Sequence, residues 1–130
     1  MGLPTIKTPI ATDLEYAWCA GFIDGDGCFF ISGYASKRIS VRLKISQKEL
    51  EPLTKIRKIL GGGIYGPFLS PSRTKKYGED VAPIYHYILG APHLRRHISG
   101  LWPHLTNLKR KQYKEKKAIN LWKLQSELTN

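Results

Sequence analysis

An alternation of apolar and polar residues runs along residues 39–47 and is unbroken as far as Ser46. Its apolar members are Ile39, Val41, Leu43 and Ile45. A period of two predicts a β-strand with one buried face and, here, one exposed basic face. The aromatic and β-branched segment 28–35 precedes it after a short link, so the two segments predict a β-hairpin. Segments 64–70 and 81–89 predict a second hairpin, joined by a polar tip.

Helical periods separate and flank these hairpins. Residues 12–15 have the Thr-x-x-Glu spacing of a capping box and predict a helix that continues to about Asp24. Further helices are predicted over residues 50–60, 92–103 and 109–126. The order αββαββα plus a terminal helix predicts a single α+β domain over residues 1–130. Its four-stranded antiparallel sheet would carry helices on one face and leave the other face free.

Charge narrows the class of partner. The 130 residues include 21 Lys and Arg against 10 Asp and Glu, a formal charge of +11. Three long stretches contain bases and no acid, at residues 27–48, 52–78 and 81–114. A basic surface of this kind attracts a polyanion, so nucleic acid is the expected partner. A solvated basic face on an ordinary protein is the alternative that charge alone leaves open.

Other compositional features exclude several classes of protein. No apolar run has the length that a bilayer requires, and no segment has the layout of a signal peptide, so we expect no membrane partner and an intracellular location. Cys19 and Cys28 do not make a disulfide framework. His93 and His97 lie four residues apart on a predicted helix, but no third ligand is adjacent, so zinc is not expected.

Residues 18–28, with the sequence WCAGFIDGDGC, are the most informative stretch. They place carboxylates at the C-terminal end of a helix, where free carbonyls and the helix dipole already favour a cation. Oxygen ligands of this kind suit Mg²⁺, which keeps several waters and often bridges to phosphate. A plain turn is the simplest alternative. An EF-hand starting at Asp24 is excluded, because Phe29 and Ala35 stand where that loop needs Gly and Glu.

The segment CAGFIDGDG at residues 19–27 resembles the nine-residue signature of the LAGLIDADG homing endonucleases. The matching positions are Ala20, Gly21, Ile23, Asp24, Asp26 and Gly27, and the departures are Cys19, Phe22 and Gly25. The predicted order of helices and strands extends the likeness over nearly the whole chain.

The resemblance implies that the small-faced helices of two such domains pack together, each delivering its last acid to a shared centre. Here that acid is Asp26, with the Gly25 carbonyl as a second oxygen ligand for Mg²⁺ or Mn²⁺. The implied interface consists of Ala17, Ala20, Gly21 and Asp24, where Asp24 stabilises either the helix end or the contact. One motif in the chain implies a homodimer that reads a pseudopalindromic DNA site.

Two more catalytic positions follow from the resemblance. Gln47, at the end of the second predicted strand, corresponds to a polar residue that orders active-site water; a local hydrogen bond at the start of the next helix is its alternative. Lys109 aligns best with a basic residue near the scissile phosphate, with Arg110 and Lys111 as rivals. This chain has Glu49 and Glu51 where some members carry a further Arg, so no such Arg is assigned.

The expected function is therefore metal-dependent, site-specific cleavage of both strands of double-stranded DNA, in the cytoplasm of a prokaryote or in an organelle. The predicted DNA-reading face and basic tip comprise Ser32, Tyr34, Arg38, Ser40, Arg42, Lys44, Arg73, Lys75, Lys76 and His86. The tip at residues 73–76 is expected to contact phosphates. The rivals are an RNA maturase or DNA regulator that keeps the fold without cutting, and a merely basic structural protein.

Overall fold

A computed structural model describes residues 2–33, 39–69 and 83–129, with the side chains of the last helix described as far as residue 121. Its strands are β1 Leu3–Ile6, β2 Gly27–Ser32, β3 Ser40–Gln47, β4 Gly62–Phe68 and β5 Ile84–Leu89. Its helices are α1 Asp13–Asp26, α2 Leu50–Leu60, α3 Ala91–Leu101 and α4 Asn107–Thr129. This order confirms the α+β fold class. No helix in the described ranges is long and apolar enough to cross a membrane.

The sheet is antiparallel with the strand order β1-β4-β5-β3-β2. Both predicted hairpin pairings are present, β2 with β3 and β4 with β5. β1 adds a fifth strand at the edge beside β4, which the sequence did not predict. It has only four residues and contains Pro4, which edge strands tolerate because their outer N–H groups need no partner.

The alternation along β3 sorts its side chains as expected. Val41, Leu43 and Ile45 are buried beneath the helices, whereas Arg42 is exposed on the other face. The core between sheet and helices is completed by side chains from α1, α2, α3 and the other strands. Its largest fully buried members include Phe29, Leu53, Ile56, Ile64, Tyr87, Leu94 and Leu101. One face of the sheet is thus covered by helices, and the other is open.

α1 begins at the predicted capping box. Glu15 N donates to Thr12 Oγ1 at 3.2 Å, and Thr12 N donates to Glu15 Oε1 at 2.9 Å. The helix ends two residues later than expected, because Gly27 is the first residue to take an extended backbone conformation. Asp26 is therefore the last residue of the helix, and the chain passes from it directly into β2.

The faces of α1 differ from the expectation. The helical period groups Leu14 with Trp18 and Phe22 in one apolar stripe, but Leu14 is 83% exposed. Ala20, expected at the interface between two chains, is instead fully buried in the core of its own chain, beside Cys19 and Ile23. The assignment of Ala20 to an exposed small-residue face is therefore corrected: its side chain points toward the sheet.

Candidate active site

The register of the sheet brings Asp26 and Gln47 together. β2 starts at Gly27, which pairs with Ile45 of β3, so the end of α1 and the end of β3 lie side by side. Gln47 Nε2 donates a 2.5 Å hydrogen bond to Asp26 Oδ2. The amide nitrogen of Gln47 therefore bonds to Asp26 and does not make the alternative, a local hydrogen bond at the start of α2. Both side chains line an open groove of about 450 Å³ at this end of the sheet.

The start of α4 reaches the same junction. Lys109 Nζ donates to the Gly27 carbonyl at 2.5 Å, which places the ammonium group one residue from Asp26. Of its two rivals, Arg110 turns away and donates to the Trp102 carbonyl at 2.9 Å. Lys111 is exposed. Among the three basic residues, Lys109 is thus the one that contacts the α1–β2 junction.

Gln112 is a second α4 contact with this junction, which sequence reasoning missed. Its Oε1 accepts a 2.9 Å hydrogen bond from Phe29 N on β2. The signal that could have found it is its spacing of three from Lys109, which places both on one helix face. Together the two side chains hold β2 against α4 just after Asp26.

Asp24 has a different partner from Asp26. Its Oδ1 accepts hydrogen bonds from Thr106 N at 3.0 Å and Thr106 Oγ1 at 3.1 Å. Thr106 Oγ1 in turn accepts from Lys109 N at 3.4 Å, as an N-cap does. Asp24 thus ties the end of α1 to the start of α4 within one chain, and thereby helps to place Lys109.

The donor set fits a hard divalent cation only in part. The Asp26 carboxylate is exposed and lies at the helix terminus, where the Gly25 carbonyl is a further oxygen donor. No cluster of three or more His, Cys, Asp or Glu that could hold a metal exists among the described residues. One chain therefore offers the oxygen chemistry that Mg²⁺ prefers, but too few protein ligands to surround it.

His97 is excluded as a metal ligand by its hydrogen bonds. The side chain is fully buried, with Nδ1 2.8 Å from the Tyr16 hydroxyl and Nε2 3.1 Å from Thr8 Oγ1. Both ring nitrogens are thus engaged inside the protein. His97 therefore joins Tyr16 of α1 to Thr8 inside the core.

The open face of the sheet carries the predicted DNA-contacting residues that the structure describes. Cross-strand pairing places Ser32 opposite Ser40 and aligns Ser46 with His86. The described members of the expected set on this face are Ser32, Ser40, Arg42, Lys44 and His86. The remaining members, Tyr34, Arg38, Arg73, Lys75 and Lys76, lie outside the described residues.

Aromatic side chains share this face, which the emphasis on charge overlooked. Tyr65 pairs with His86 and is 45% exposed, and Phe68 pairs with Ile84 and is 48% exposed. Phe30 on β2 pairs with Arg42 on β3, so its side chain lies on the open face as well. The open face is thus a mixed basic and aromatic surface, and the alternation of residues along β2 and β4 was the signal for it.

The family model for the LAGLIDADG endonuclease matches residues 19–125, from the motif in α1 into α4. This chain belongs to the LAGLIDADG endonuclease family. No curated protein sequence matches it.

Solved structures agree with this assignment. The LAGLIDADG chain is 27% identical to the homing endonuclease I-CvuI, solved with a DNA target in the presence of Mg, with a TM-score of 0.57 over 78% of this chain and 62% of that one. It is 24% identical to the archaeal intron-encoded homing endonuclease I-Vdi141I, solved with DNA, with a TM-score of 0.52 and coverages of 71% and 56%. It is 23% identical to the meganuclease I-AabMI, solved bound to uncleaved DNA, with a TM-score of 0.60 over 88% of this chain and 39% of that one. This chain therefore spans less than two thirds of each.

In this LAGLIDADG chain, α1 presents an exposed apolar face beside the motif. Leu14, Ala17, Gly21 and Gly25 follow one another at spacings of three and four, so they lie along one side of the helix. A Cβ added at Gly21 or Gly25 would meet nothing within 4 Å. The expected interface residues Ala17 and Gly21 are thus on the outer face, whereas Ala20 faces inward and Asp24 bonds to α4.

Proposed function

We propose that this protein is a site-specific DNA endonuclease that acts as a homodimer with Mg²⁺ or Mn²⁺ and cuts both strands of a pseudopalindromic target. The observation that carries the proposal is the junction of α1, β3 and α4. There, an exposed Asp26 carboxylate is hydrogen-bonded by Gln47, one residue from the carbonyl that holds Lys109. A carboxylate, an amide and an ammonium group are the parts that phosphodiester hydrolysis needs.

Each side chain has a role that follows from its hydrogen bonds. Gln47 Nε2 donates to Asp26 Oδ2, which fixes the rotation of the carboxylate and leaves Oδ1 to face a cation. The amide oxygen of Gln47 can accept a hydrogen bond from water in the groove and so orient that water. Lys109 uses one of three N–H donors on the Gly27 carbonyl, and the others can neutralise phosphate charge. Bound at Asp26 and Gly25, Mg²⁺ would supply Lewis-acid stabilisation and an acidified water.

A second copy supplies what one chain lacks. Two α1 helices packed through Leu14, Ala17 and Gly21 would approach closely, because Gly21 has no side chain to hold them apart. A two-fold axis along this contact would bring the two ends of α1, and hence two Asp26 carboxylates, toward a common centre. Such a pair would meet a hard cation's need for several oxygen ligands, together with water and phosphate.

The open sheet face is the DNA-binding surface in this proposal. Arg42 and Lys44 lie on it, and no acid stands on the described parts of β2, β3, β4 and β5. A β-ribbon of this kind fits the major groove, where Arg and Lys can contact guanine O6 and N7. The DNA complexes of I-CvuI and I-Vdi141I support the same use of the fold here.

The test measures how fast wild type and Asp26→Asn cut a plasmid library of randomised targets, with both proteins assayed in Mg²⁺. Asp26→Asn keeps the size of the side chain and removes its charge, so cutting should fall by roughly 100-fold or more while DNA binding persists. Gln47→Leu should reduce cutting by roughly 10- to 100-fold, as loss of a residue that orients a metal ligand does.

Asp13→Asn is the matched control. It makes the same change of charge on the same helix, but Asp13 is 84% exposed at the far end, where it pairs with His104 at 2.8 Å. It should cut as wild type does. Wild-type cutting by Asp26→Asn would refute the site, whereas DNA binding without cutting by the wild-type protein would favour the non-cleaving alternative, a DNA-binding regulator.

A further inference from the structure

His86, on the open sheet face, is held by contacts with both neighbouring strands. It lies on β5 between two direct cross-strand partners, Ser46 on β3 and Tyr65 on β4. Ser46 Oγ is 2.8 Å from His86 Nδ1. The Phe68 ring stacks on the imidazole, with centroids 5.3 Å apart and planes inclined by 27°. The stacking fixes the plane of the imidazole, and the hydrogen bond fixes its rotation within that plane.

We infer that His86 determines specificity by reading one purine through its N7 atom in the major groove, with Ser46 as the positioning residue. The inference rests on the proposed function and adds to it a residue pair and a base class. Because Nδ1 is engaged by Ser46, Nε2 is the ring nitrogen left to contact a ligand. One fixed nitrogen can contact one base, so the effect should be confined to a single position in each half-site.

Charge and environment determine which ring nitrogen of His86 carries the proton. Burial, and then the positive charge of Lys44, lower the pKa of His86, which favours the neutral ring in the free protein at neutral pH. A neutral imidazole carries its proton on one nitrogen only. Next to a polyanion the tautomer with N–H directed toward the DNA is favoured. The Ser46 hydroxyl then donates to Nδ1, and Nε2–H donates to the base.

The major groove supplies a matching acceptor. Both purines present N7 there, and thymine presents O4 beside a methyl group that crowds an approaching ring, whereas cytosine presents an N4 donor that an N–H group cannot satisfy. Arg42 and Lys44 on the same face are charged, so they also contribute to salt-dependent attraction. His86 is proposed to contact a base and no phosphate, so its loss should change the choice of base and leave the salt dependence of binding nearly as it is.

The experiment selects bound targets from a randomised library without Mg²⁺, using the full chain and its variants. Wild type should prefer a purine at one half-site position by about 5- to 150-fold over cytosine. His86→Phe keeps an aromatic ring against Phe68 but removes the donor, so this preference should disappear. Ser46→Ala should weaken it at the same position, and Ser46→Thr, which restores a hydroxyl, should retain it. Ser99→Ala, an exposed serine on α3, is the matched control.

A base analogue tests the contact on the wild-type protein alone. Replacing the selected purine by its 7-deaza form removes N7 and should weaken wild-type binding by a similar factor, with no further loss in His86→Phe. A preference that survives in His86→Phe, a preference of undiminished strength in Ser46→Ala, or wild-type indifference to the 7-deaza base would overturn the inference while leaving the endonuclease proposal standing. A wild-type protein that binds no DNA, or binds without any preference, would overturn both.

Discussion

Tyr16→Phe should destabilise the fold by removing one hydroxyl from a buried network that joins α1 to α3. The Tyr16 hydroxyl lies 2.8 Å from His97 Nδ1 and accepts a 3.0 Å hydrogen bond from Ala11 N. Thr8 Oγ1 donates to the Ile59 carbonyl at 2.8 Å, so it accepts from His97 Nε2–H. His97 is therefore the neutral tautomer with its proton on Nε2, and Nδ1 needs the Tyr16 proton.

The magnitude follows from the two groups left without a partner. His97 is fully buried, so its Nδ1 would pay the full cost of an unsatisfied acceptor, about 1–3 kcal/mol. Ala11 is only partly buried, and water can replace part of its lost hydrogen bond. We therefore expect the free energy of unfolding to fall by about 2–3 kcal/mol. For a domain of this size that is a drop in Tm of roughly 6–15 °C.

Urea unfolding at pH 7.5, at one fixed protein concentration, measures the change without a shift from dissociation. Tyr65→Phe is the matched control, because it removes the same hydroxyl from a half-exposed ring, and it should stay within about 0.5 kcal/mol of wild type. A Tyr16→Phe protein within that same margin would show that the network contributes nothing, and the reasoning from unsatisfied groups would be refuted.

Two further predictions concern pH and assembly. Burial, and then the charges of Arg96 and His93, lower the pKa of His97 in the folded state. Below about pH 6.5 the unfolded chain therefore binds a proton that the folded chain does not, so the free energy of unfolding should be largest above pH 6.5 and fall as the pH drops. In His97→Gln, the urea midpoint should depend less steeply on pH below 6.5 than in wild type. An unchanged slope of midpoint against pH would contradict this. Gly21→Leu should keep the circular dichroism spectrum of wild type, because a side chain there meets nothing in its own chain. In light scattering it should have the mass of one 14.8 kDa chain, whereas wild type and an Ala118→Leu control should have the mass of a dimer. A dimeric Gly21→Leu protein would place the interface elsewhere.

The sheet was predictable wherever burial imposed a period on the sequence. Along β3, a shift of one residue would turn Leu43 out and Arg42 in, so pattern and structure must agree. β1 has no such constraint, since its four residues form an edge strand whose two central residues are exposed. What holds it is a set of distant contacts, including two hydrogen bonds from the Arg57 side chain to the Pro4 carbonyl. Contacts of that kind leave no periodic trace.

The faces of α1 show where a period alone misleads. Leu14 is large and apolar, which is typical of a core residue, yet it is exposed in the single chain. Ala20 is small, which is typical of a close helix contact, yet it is fully buried. The exposure of Leu14 would follow from the proposed packing of the outer face of α1 on a second chain, because the partner would then bury this side chain. A sequence does not distinguish the two kinds of burial.

The two acids of the motif have different partners because of the helix period. Asp24 and Asp26 are two residues apart, so their side chains leave the helix about 200° from each other. One direction leads to Thr106 and the start of α4, and the other to Gln47 at the end of β3. The sequence could assign two acids to a helix end, but the choice among Lys109, Arg110 and Lys111 needed the phase of α4. The bond between Asp24 and Thr106 helps to hold that phase, so in the proposed site the acid farther from Gln47 would help to determine which base reaches the phosphate.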